Sequence, residues 1–189
     1  MDLVPIPSQT VGPFFHLGCT EPGSVGSLVH ASTKGERIQL VCRVLDGDGV
    51  PVPDAMVEIW QADAAGHYNH PEDKPENSSS AFRGHGRLAT DAQGRCAFTT
   101  IMPGQVPAND GNQQASHINV SVFARGVLVR LATRIYFAGD SALLKDFVLS
   151  LVPIDRRDTL LARSAGAQSN KWHFDIHLCG EQETVFFDV

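Results

Sequence analysis

The chain has 189 residues, of which 42% are hydrophobic and 19% are charged. This composition predicts one globular domain with a core large enough to need neither a disulfide nor zinc, and it excludes global disorder. A formal net charge of −6 without runs of Lys or Arg argues against binding to nucleic acid or anionic membranes.

The chain shows no sign of a membrane span or of export. No apolar run approaches the roughly 18 residues that a spanning helix needs. The first residues, Met1–Pro5, lack the basic and apolar regions of a secretory signal. The scattered cysteines, without C-x-x-C spacing, predict structural thiols in a reducing cytoplasm. They are Cys19, Cys42, Cys96 and Cys179.

Residues 1–35 are rich in Pro, Gly and Ser and show no hydrophobic period, which predicts an irregular N-terminal arm. From Arg37 the apolar side chains alternate with polar ones, and this period of two predicts a strand. Asp and Gly at 46–49 then predict a turn. A second apolar strand follows at 57–62.

A long polar stretch at 63–86 predicts a loop, and a loop over about twenty residues in a compact domain is more often functional than idle. The segments 87–90 and 95–101 flank the turn sequence at 91–94 and predict a hairpin. A second polar stretch covers 102–116.

Alternation then predicts three more strands, at 117–123, 128–137 and 172–178. The only stretch with a helical pattern is 143–163, and Pro153 interrupts it. Seven or so short strands with little helix predict an all-β fold, an antiparallel β-sandwich over residues 36–189 preceded by the arm at 1–35.

Two groups of residues are candidate metal ligands. His173, Asp175 and His177 share one face of a predicted strand, which is typical either of a metal site or of a solvated strand face. His67, Tyr68 and His70 open the long loop, and together with His117 they offer imidazole and phenol groups of the kind that ferric iron accepts.

Arg125 lies in a predicted turn between strands. It can be a solvated turn residue or can bind a carboxylate through its guanidinium. The sequence contains none of the G-x-S-x-G, H-E-x-x-H, G-x-x-x-x-G-K-S/T or G-x-G-x-x-G motifs, so nothing predicts a serine hydrolase, a zinc protease or a nucleotide-binding protein.

Several segments resemble the intradiol ring-cleavage dioxygenases, and among them the alpha chains of the two-chain members. The similarity extends from residue 7 to the end of the chain. The segments are 7–16 (PSQTVGPFFH), 57–68 (VEIWQADAAGHY), 117–126 (HINVSVFARG), 133–137 (TRIYF) and 180–189 (GEQETVFFDV).

The resemblance implies a ferric site from which ligands have been lost. The catalytic chains of the family bind Fe(III) through two Tyr and two His. Their positions correspond here to Tyr68, Val106, His117 and Asn119. Val106 has no donor atom and the Asn119 amide is a poor replacement for imidazole. We therefore expect no metal ligand and no catalytic residue in this chain.

The resemblance also implies a partner. Fe(III) would be bound by a beta subunit in a hetero-oligomer of alpha-beta pairs, which cleaves protocatechuate with O2. Thr10, Gly12 and Pro13 would line the partner's substrate cleft, and Arg125 would attract the substrate carboxylate.

Two alternatives remain open from the sequence. The chain could be a self-sufficient intradiol dioxygenase that recruits other ligands, such as His67 or His70. It could also be a non-catalytic β-sandwich binding module. For Arg125, an ion pair with an acidic residue of the partner competes with the substrate role.

Overall fold

The computed structural model describes residues 9–20, 24–70, 82–108, 111–166 and 169–189, and for Pro13, Phe14 and His16 it describes the backbone alone. The described residues form ten strands, two short α-helices and two 3-10 turns at Ser141–Lys145 and Arg157–Leu160. The strands and helices are α1 (Pro13–Cys19), β1 (Arg37–Leu45), β2 (Met56–Gln61), β3 (His85–Ala89), β4 (Arg95–Ile101), β5 (Val106–Pro107), β6 (Gln113–Gln114), β7 (His117–Phe123), β8 (Leu131–Phe137), α2 (Phe147–Ser150), β9 (Leu161–Ser164) and β10 (Lys171–His177).

Eight strands are hydrogen-bonded in the order β3-β2-β7-β8-β9-β10-β1-β4. The strands form two layers, one of β3, β2, β7 and β8 and the other of β10, β1 and β4. The short β9 connects these layers, because it pairs with β8 through Leu161 and Ala162 and with β10 through Arg163 and Ser164. The predicted all-β class is confirmed. Two of the pairings, β1 with β10 and β8 with β9, are parallel, so the sheet is mixed rather than purely antiparallel.

The core lies between the layers and follows the predicted alternation. In β1 the side chains of Ile38, Leu40, Cys42 and Val44 are at most 1% exposed, whereas the residues between them are exposed or half-buried. Period-two patterns bury one face of each strand because successive side chains point to opposite sides. A core of this kind gives β7 and β8 the rigid support on which the polar groups of their other face depend.

The predicted hairpin between 87–90 and 95–101 is wrong. The turn itself forms, since Asp91 Oδ1 accepts hydrogen bonds from the N–H groups of Gln93 and Arg95. The two strands then separate, because β3 pairs with β2 whereas β4 pairs with β1. The turn therefore carries the chain from one layer to the other, which turn chemistry alone does not distinguish from a hairpin.

Residues 24–28 close the seam between the two edge strands. Val25 exchanges two backbone hydrogen bonds with Arg87 of β3, and Thr99 of β4 exchanges two with Gly26 and Leu28. Leu28 is 1% exposed and belongs to the core. This part of the N-terminal segment thus covers edges that would otherwise present unpaired N–H and C=O groups.

The predicted helical stretch at 143–163 is divided into short pieces. Asp140 caps the first 3-10 turn and Asp146 caps α2, each by accepting a backbone N–H. The stretch then ends in β9, so its apolar residues serve partly as strand rather than as helix. Within the described residues no helix is long and apolar enough to cross a membrane.

Candidate functional site

The side chains of Tyr68, His117 and Asn119 meet at the beginning of β7. The Tyr68 hydroxyl lies 3.3 Å from His117 Nε2, and Asn119 Nδ2 donates to the same hydroxyl over 3.3 Å. His117 and Asn119 are two residues apart on one strand and so project from the same face. With Val106, described below, these residues form what we call the Tyr68 cluster.

The loop at 63–68 is folded tightly enough to hold Tyr68 in place. Asp63 Oδ1 accepts hydrogen bonds from the N–H groups of Ala65 and His67, at 2.8 and 3.0 Å. Gly66 has a φ of 85°, and a Cβ there would lie 2.0 Å from the Gln105 carbonyl oxygen. Glycine therefore lets the loop lie directly against the segment that carries Val106.

Val106 lies on the short ribbon of β5 and β6, where its register partner is Gln114. Its side chain is buried, with 8% exposure. It lines a cavity of about 290 Å³ next to Tyr68. The remaining residues around this cavity are Trp60, Gly66, His67, His70 and Pro107. All four positions of the expected ferric site are therefore neighbours, although only Tyr68 and His117 carry the expected donors.

His117 is a neutral, buried histidine. It is 1% exposed, and its Nδ1 lies 2.8 Å from the Ala115 carbonyl oxygen, to which it must donate. Burial, followed by the positive charge of Arg134, lowers the pKa of His117 to about 4. Its Nε2 thus accepts a hydrogen bond from the Tyr68 hydroxyl. Because burial also raises the pKa of Tyr68, that hydroxyl is a neutral phenol at physiological pH.

The pKa of His117 predicts a loss of stability in mild acid. The unfolded chain takes up this proton near pH 6.5 and the folded chain only near pH 4. The free energy of unfolding should therefore fall as pH decreases through this window, by about 3 kcal/mol for a shift of this size. Urea unfolding at pH 7 and pH 4.5 measures this loss.

A His117→Gln variant is the control, since glutamine does not titrate. The free energy of unfolding of this variant should change less over the same pH range. Both proteins keep the neighbouring Tyr68, Tyr136, Arg134 and Asp146, so the comparison isolates the protonation of His117. An equal loss in both proteins would show that other groups cause the acid sensitivity.

Arg134 is the functional group that the sequence did not reveal. It lies on β8 directly opposite Asn119. Its Nε donates to Asn119 Oδ1 over 3.1 Å, and its Nη1 donates to Gln114 Oε1 over 2.8 Å. The guanidinium therefore connects β7 to the ribbon that holds Val106, within the Tyr68 cluster. Only the strand register brings it there, and spacing along the chain gives no signal of it.

A second group of candidate residues gathers at the turn after β7. Thr10 Oγ1 accepts a hydrogen bond of 2.7 Å from the N–H of Gly126, and the rings of Phe15 and Phe123 lie 5.4 Å apart. The backbone of Gly12 is tied to α1, since its carbonyl accepts from the N–H of Phe15. The structure thus brings the predicted Thr10 to the turn that carries Arg125, and Gly12 follows two residues later in the same segment. Pro13 begins α1, but its side chain lies outside the description.

Arg125 extends into solvent from this turn. Its side chain is 73% exposed, and its Nε lies 3.0 Å from Asp54 Oδ2. We call Thr10, Gly12 and Arg125 the arm-turn surface. It lies at the far end of β7 from His117, roughly 20 Å away for a seven-residue strand. Arg125 therefore does not serve the Tyr68 cluster of its own chain.

The other candidates lie apart from these two groups. His173 and Asp175 occupy the exposed face of β10. His67 and His70 line the small cavity beside Tyr68, but among the described residues no group of three His, Cys, Asp or Glu side chains could hold a metal ion. The four cysteines form no disulfide, and Cys42 lies opposite Cys96 between β1 and β4.

Comparison with known proteins assigns the chain to one family. The family model described as a dioxygenase matches residues 11–180. The chain belongs to the intradiol dioxygenase family. It is 40% identical to the protocatechuate 3,4-dioxygenase alpha chain of Burkholderia cepacia, over 97% of this chain and 96% of that one. The beta chain of the same organism is 39% identical, over 85% of this chain and 75% of that one.

A solved structure supports the same assignment. The dioxygenase domain of a dioxygenase carbohydrate-binding fusion protein from Streptomyces sp. SirexAA-E superposes with a TM-score of 0.62 at 29% identity. The match covers 94% of this chain and 99% of that one. The intradiol dioxygenase core thus accounts for nearly the whole of the chain.

Intradiol dioxygenases are iron-dependent, but the Tyr68 cluster does not suit iron. Ferric iron requires anionic or strongly basic donors, whereas Tyr68 is a neutral phenol and Val106 offers no donor. The Asn119 oxygen is engaged by a guanidinium. Two donors and an adjacent cation do not make a ferric site.

Proposed function

We propose that this chain is the non-iron-binding alpha subunit of a protocatechuate 3,4-dioxygenase. One observation carries the proposal. A chain that matches an alpha chain over almost its full length has Val and Asn at two of the four positions where the family's catalytic chains have iron ligands. In this proposal the Fe(III) belongs to a beta subunit, and each alpha-beta pair shares one substrate cleft.

The arm-turn surface is what this chain contributes to that cleft. The hydrogen bond from Gly126 to Thr10 and the packing of Phe15 against Phe123 hold residues 10–15 against the turn. In this proposal these two contacts position residues 10–15 before assembly, which reduces its entropy cost. Exposed Thr10, Gly12 and Arg125 then form one wall of the partner's cleft, together with Pro13.

Arg125 gives this wall its selectivity. The substrate, protocatechuate, is a catechol with a carboxylate, and a guanidinium binds a carboxylate through parallel charged hydrogen bonds. A chain with a net charge of −6 would otherwise repel such an anion. The Asp54 carboxylate contacts Nε at 3.0 Å, and in this proposal the substrate carboxylate binds to the remaining guanidinium nitrogens.

The reaction proposed for the assembled enzyme is insertion of both atoms of O2 between the two hydroxyl-bearing carbons of the ring. Its product is 3-carboxy-cis,cis-muconate. Iron in the beta subunit supplies the chemistry of ring cleavage. This chain binds the substrate carboxylate, orients the ring and helps to exclude water from the cleft.

Reconstitution tests the proposal. The chain purified alone should not consume O2 with protocatechuate, even after incubation with iron. The chain co-expressed with a beta-type partner that has the intact tyrosine and histidine ligands should do so. Turnover by the chain alone would favour the self-sufficient enzyme, and absence of turnover in every combination would favour the binding module.

A further inference from the structure

The Arg134 guanidinium is hydrogen-bonded to both of the elements that carry the positions where ligands are missing. Asn119, one of these positions, accepts from Arg134 Nε at 3.1 Å. Val106, the other, has Gln114 as its register partner, and Gln114 accepts from Arg134 Nη1 at 2.8 Å. A single guanidinium therefore binds to the strand of one missing ligand and to the ribbon of the other.

The charge of this group is permanent, because arginine is not deprotonated in proteins. Asn119 connects it to the Tyr68 hydroxyl, accepting from Arg134 on one side and donating to Tyr68 on the other. Only one side chain thus separates the guanidinium from the phenol. At this separation, in a half-buried environment, a second cation is strongly repelled.

The missing ligands do not by themselves explain this arrangement. Loss of two donors would weaken metal binding without requiring a cation in their place. Neutral side chains at position 134 could still hydrogen-bond to Asn119 and Gln114, so the network does not demand a charge.

We infer that Arg134 excludes ferric iron from the Tyr68 cluster, so that restoring the two missing ligands does not restore a metal site while Arg134 is present. This inference rests on the proposed role of the chain as the subunit without iron. It adds a specific residue that would prevent the site from being regained by changes at Val106 and Asn119 alone.

The structure has room for the restored ligands. The cavity of about 290 Å³ beside Val106 and Tyr68 can accept the larger side chain of a Val106→Tyr substitution. Asn119 is only half-buried, and it faces a larger groove of about 770 Å³ that Arg134 and Trp60 also line. An Asn119→His substitution therefore does not place a ring in the packed core.

The test compares two variants of the chain purified alone. The double variant carries Val106→Tyr and Asn119→His, and the triple variant adds Arg134→Gln, which removes the charge but keeps a donor for Gln114. Each is incubated with ferric iron and desalted. Bound iron is measured by atomic absorption, and the tyrosinate-to-iron charge-transfer band by visible absorption.

We expect the double variant to retain under about 0.1 iron per chain and the triple variant to approach about one, with a visible band in the triple variant alone. A matched triple variant with Arg134→Lys, which keeps a positive charge, should behave like the double variant. Iron bound by tyrosine gives a charge-transfer band, whereas adventitious iron does not. Bound iron and the band should therefore appear in the same variant.

Two results would overturn the inference. Bound iron and a charge-transfer band in the double variant would show that Arg134 does not prevent iron binding. The double variant alone is sufficient to show this, because it retains Arg134. A folded triple variant without iron, judged by its unfolding transition, would show that the charge is not what excludes the metal. If the glutamine variant does not fold, Arg134→Met decides in the same way. Iron in the unmodified chain is a different result, which would contradict the proposed function itself.

Discussion

Replacing Arg125 with methionine in the assembled enzyme should lower kcat/KM for protocatechuate about 100-fold, because a charged hydrogen-bond pair with a carboxylate contributes about 2 to 3 kcal/mol. The loss should appear mainly as a higher KM. Turnover of catechol, which has no carboxylate, should change less than about threefold. Steady-state O2 uptake with both substrates measures the difference.

Two further variants separate substrate binding from assembly. Arg125→Lys keeps the charge but loses the parallel hydrogen bonds, so it should recover part of the loss. Asp54→Asn removes the carboxylate that contacts Arg125 at 3.0 Å and should leave KM unchanged or slightly lower. Equal losses for both substrates in Arg125→Met would contradict the carboxylate role and indicate an ion pair across the subunit interface.

Replacing Asp146 with alanine should destabilise the chain by about 4 kcal/mol, because three buried donors would lose their acceptor. The Asp146 carboxylate is 1% exposed. It accepts hydrogen bonds from the Tyr136 hydroxyl at 3.0 Å and from the N–H groups of Ala115 and Leu149, each at 2.8 Å. Urea unfolding at pH 7 gives the difference in free energy.

Asp140 provides a matched control, since its carboxylate caps the preceding 3-10 turn through the N–H of Ala142 but is only half-buried. Asp140→Ala should cost about 1 kcal/mol, the usual value of such a cap. If both substitutions cost the same, the buried network around Asp146 does not stabilise the fold as the structure indicates.

The strands of the core were predictable because burial imposes a period of two on each of them. β1, β7 and β10 each lie within a residue or two of the segments that alternation marks. The hairpin prediction was wrong because a turn sequence determines only a local reversal of the chain. The strands with which β3 and β4 pair depend on the whole sheet. The helical stretch predicted at 143–163 does not form one long helix, because Asp140 caps a short 3-10 turn and Asp146 caps the separate short helix α2.

The two candidate sites differed in how far the sequence revealed them. Tyr68, Val106, His117 and Asn119 were found through resemblance, and the structure brings all four together. Arg134 was missed because it reaches Asn119 only through the register of β7 and β8. The register describes how two strands pair, and the spacing of residues along the chain does not show which residues of β7 and β8 lie opposite each other.

The arm-turn surface shows a similar limit. Thr10 and Arg125 were both predicted, but as separate contributions to a partner's cleft. Their proximity depends on one hydrogen bond between residues 116 positions apart in sequence. Contacts of that kind arise from the fold as a whole. This contact places the two predicted residues on a single surface.

Iron content per alpha-beta pair tests the central claim most directly. The chain is co-expressed with its beta-type partner, the complex is purified, and iron and protein are quantified together. We expect about one iron per pair, unchanged when Tyr68 is replaced with phenylalanine, because a single site of the family's kind remains in each pair. Two irons per pair, or a loss of iron in the Tyr68→Phe complex, would contradict the account.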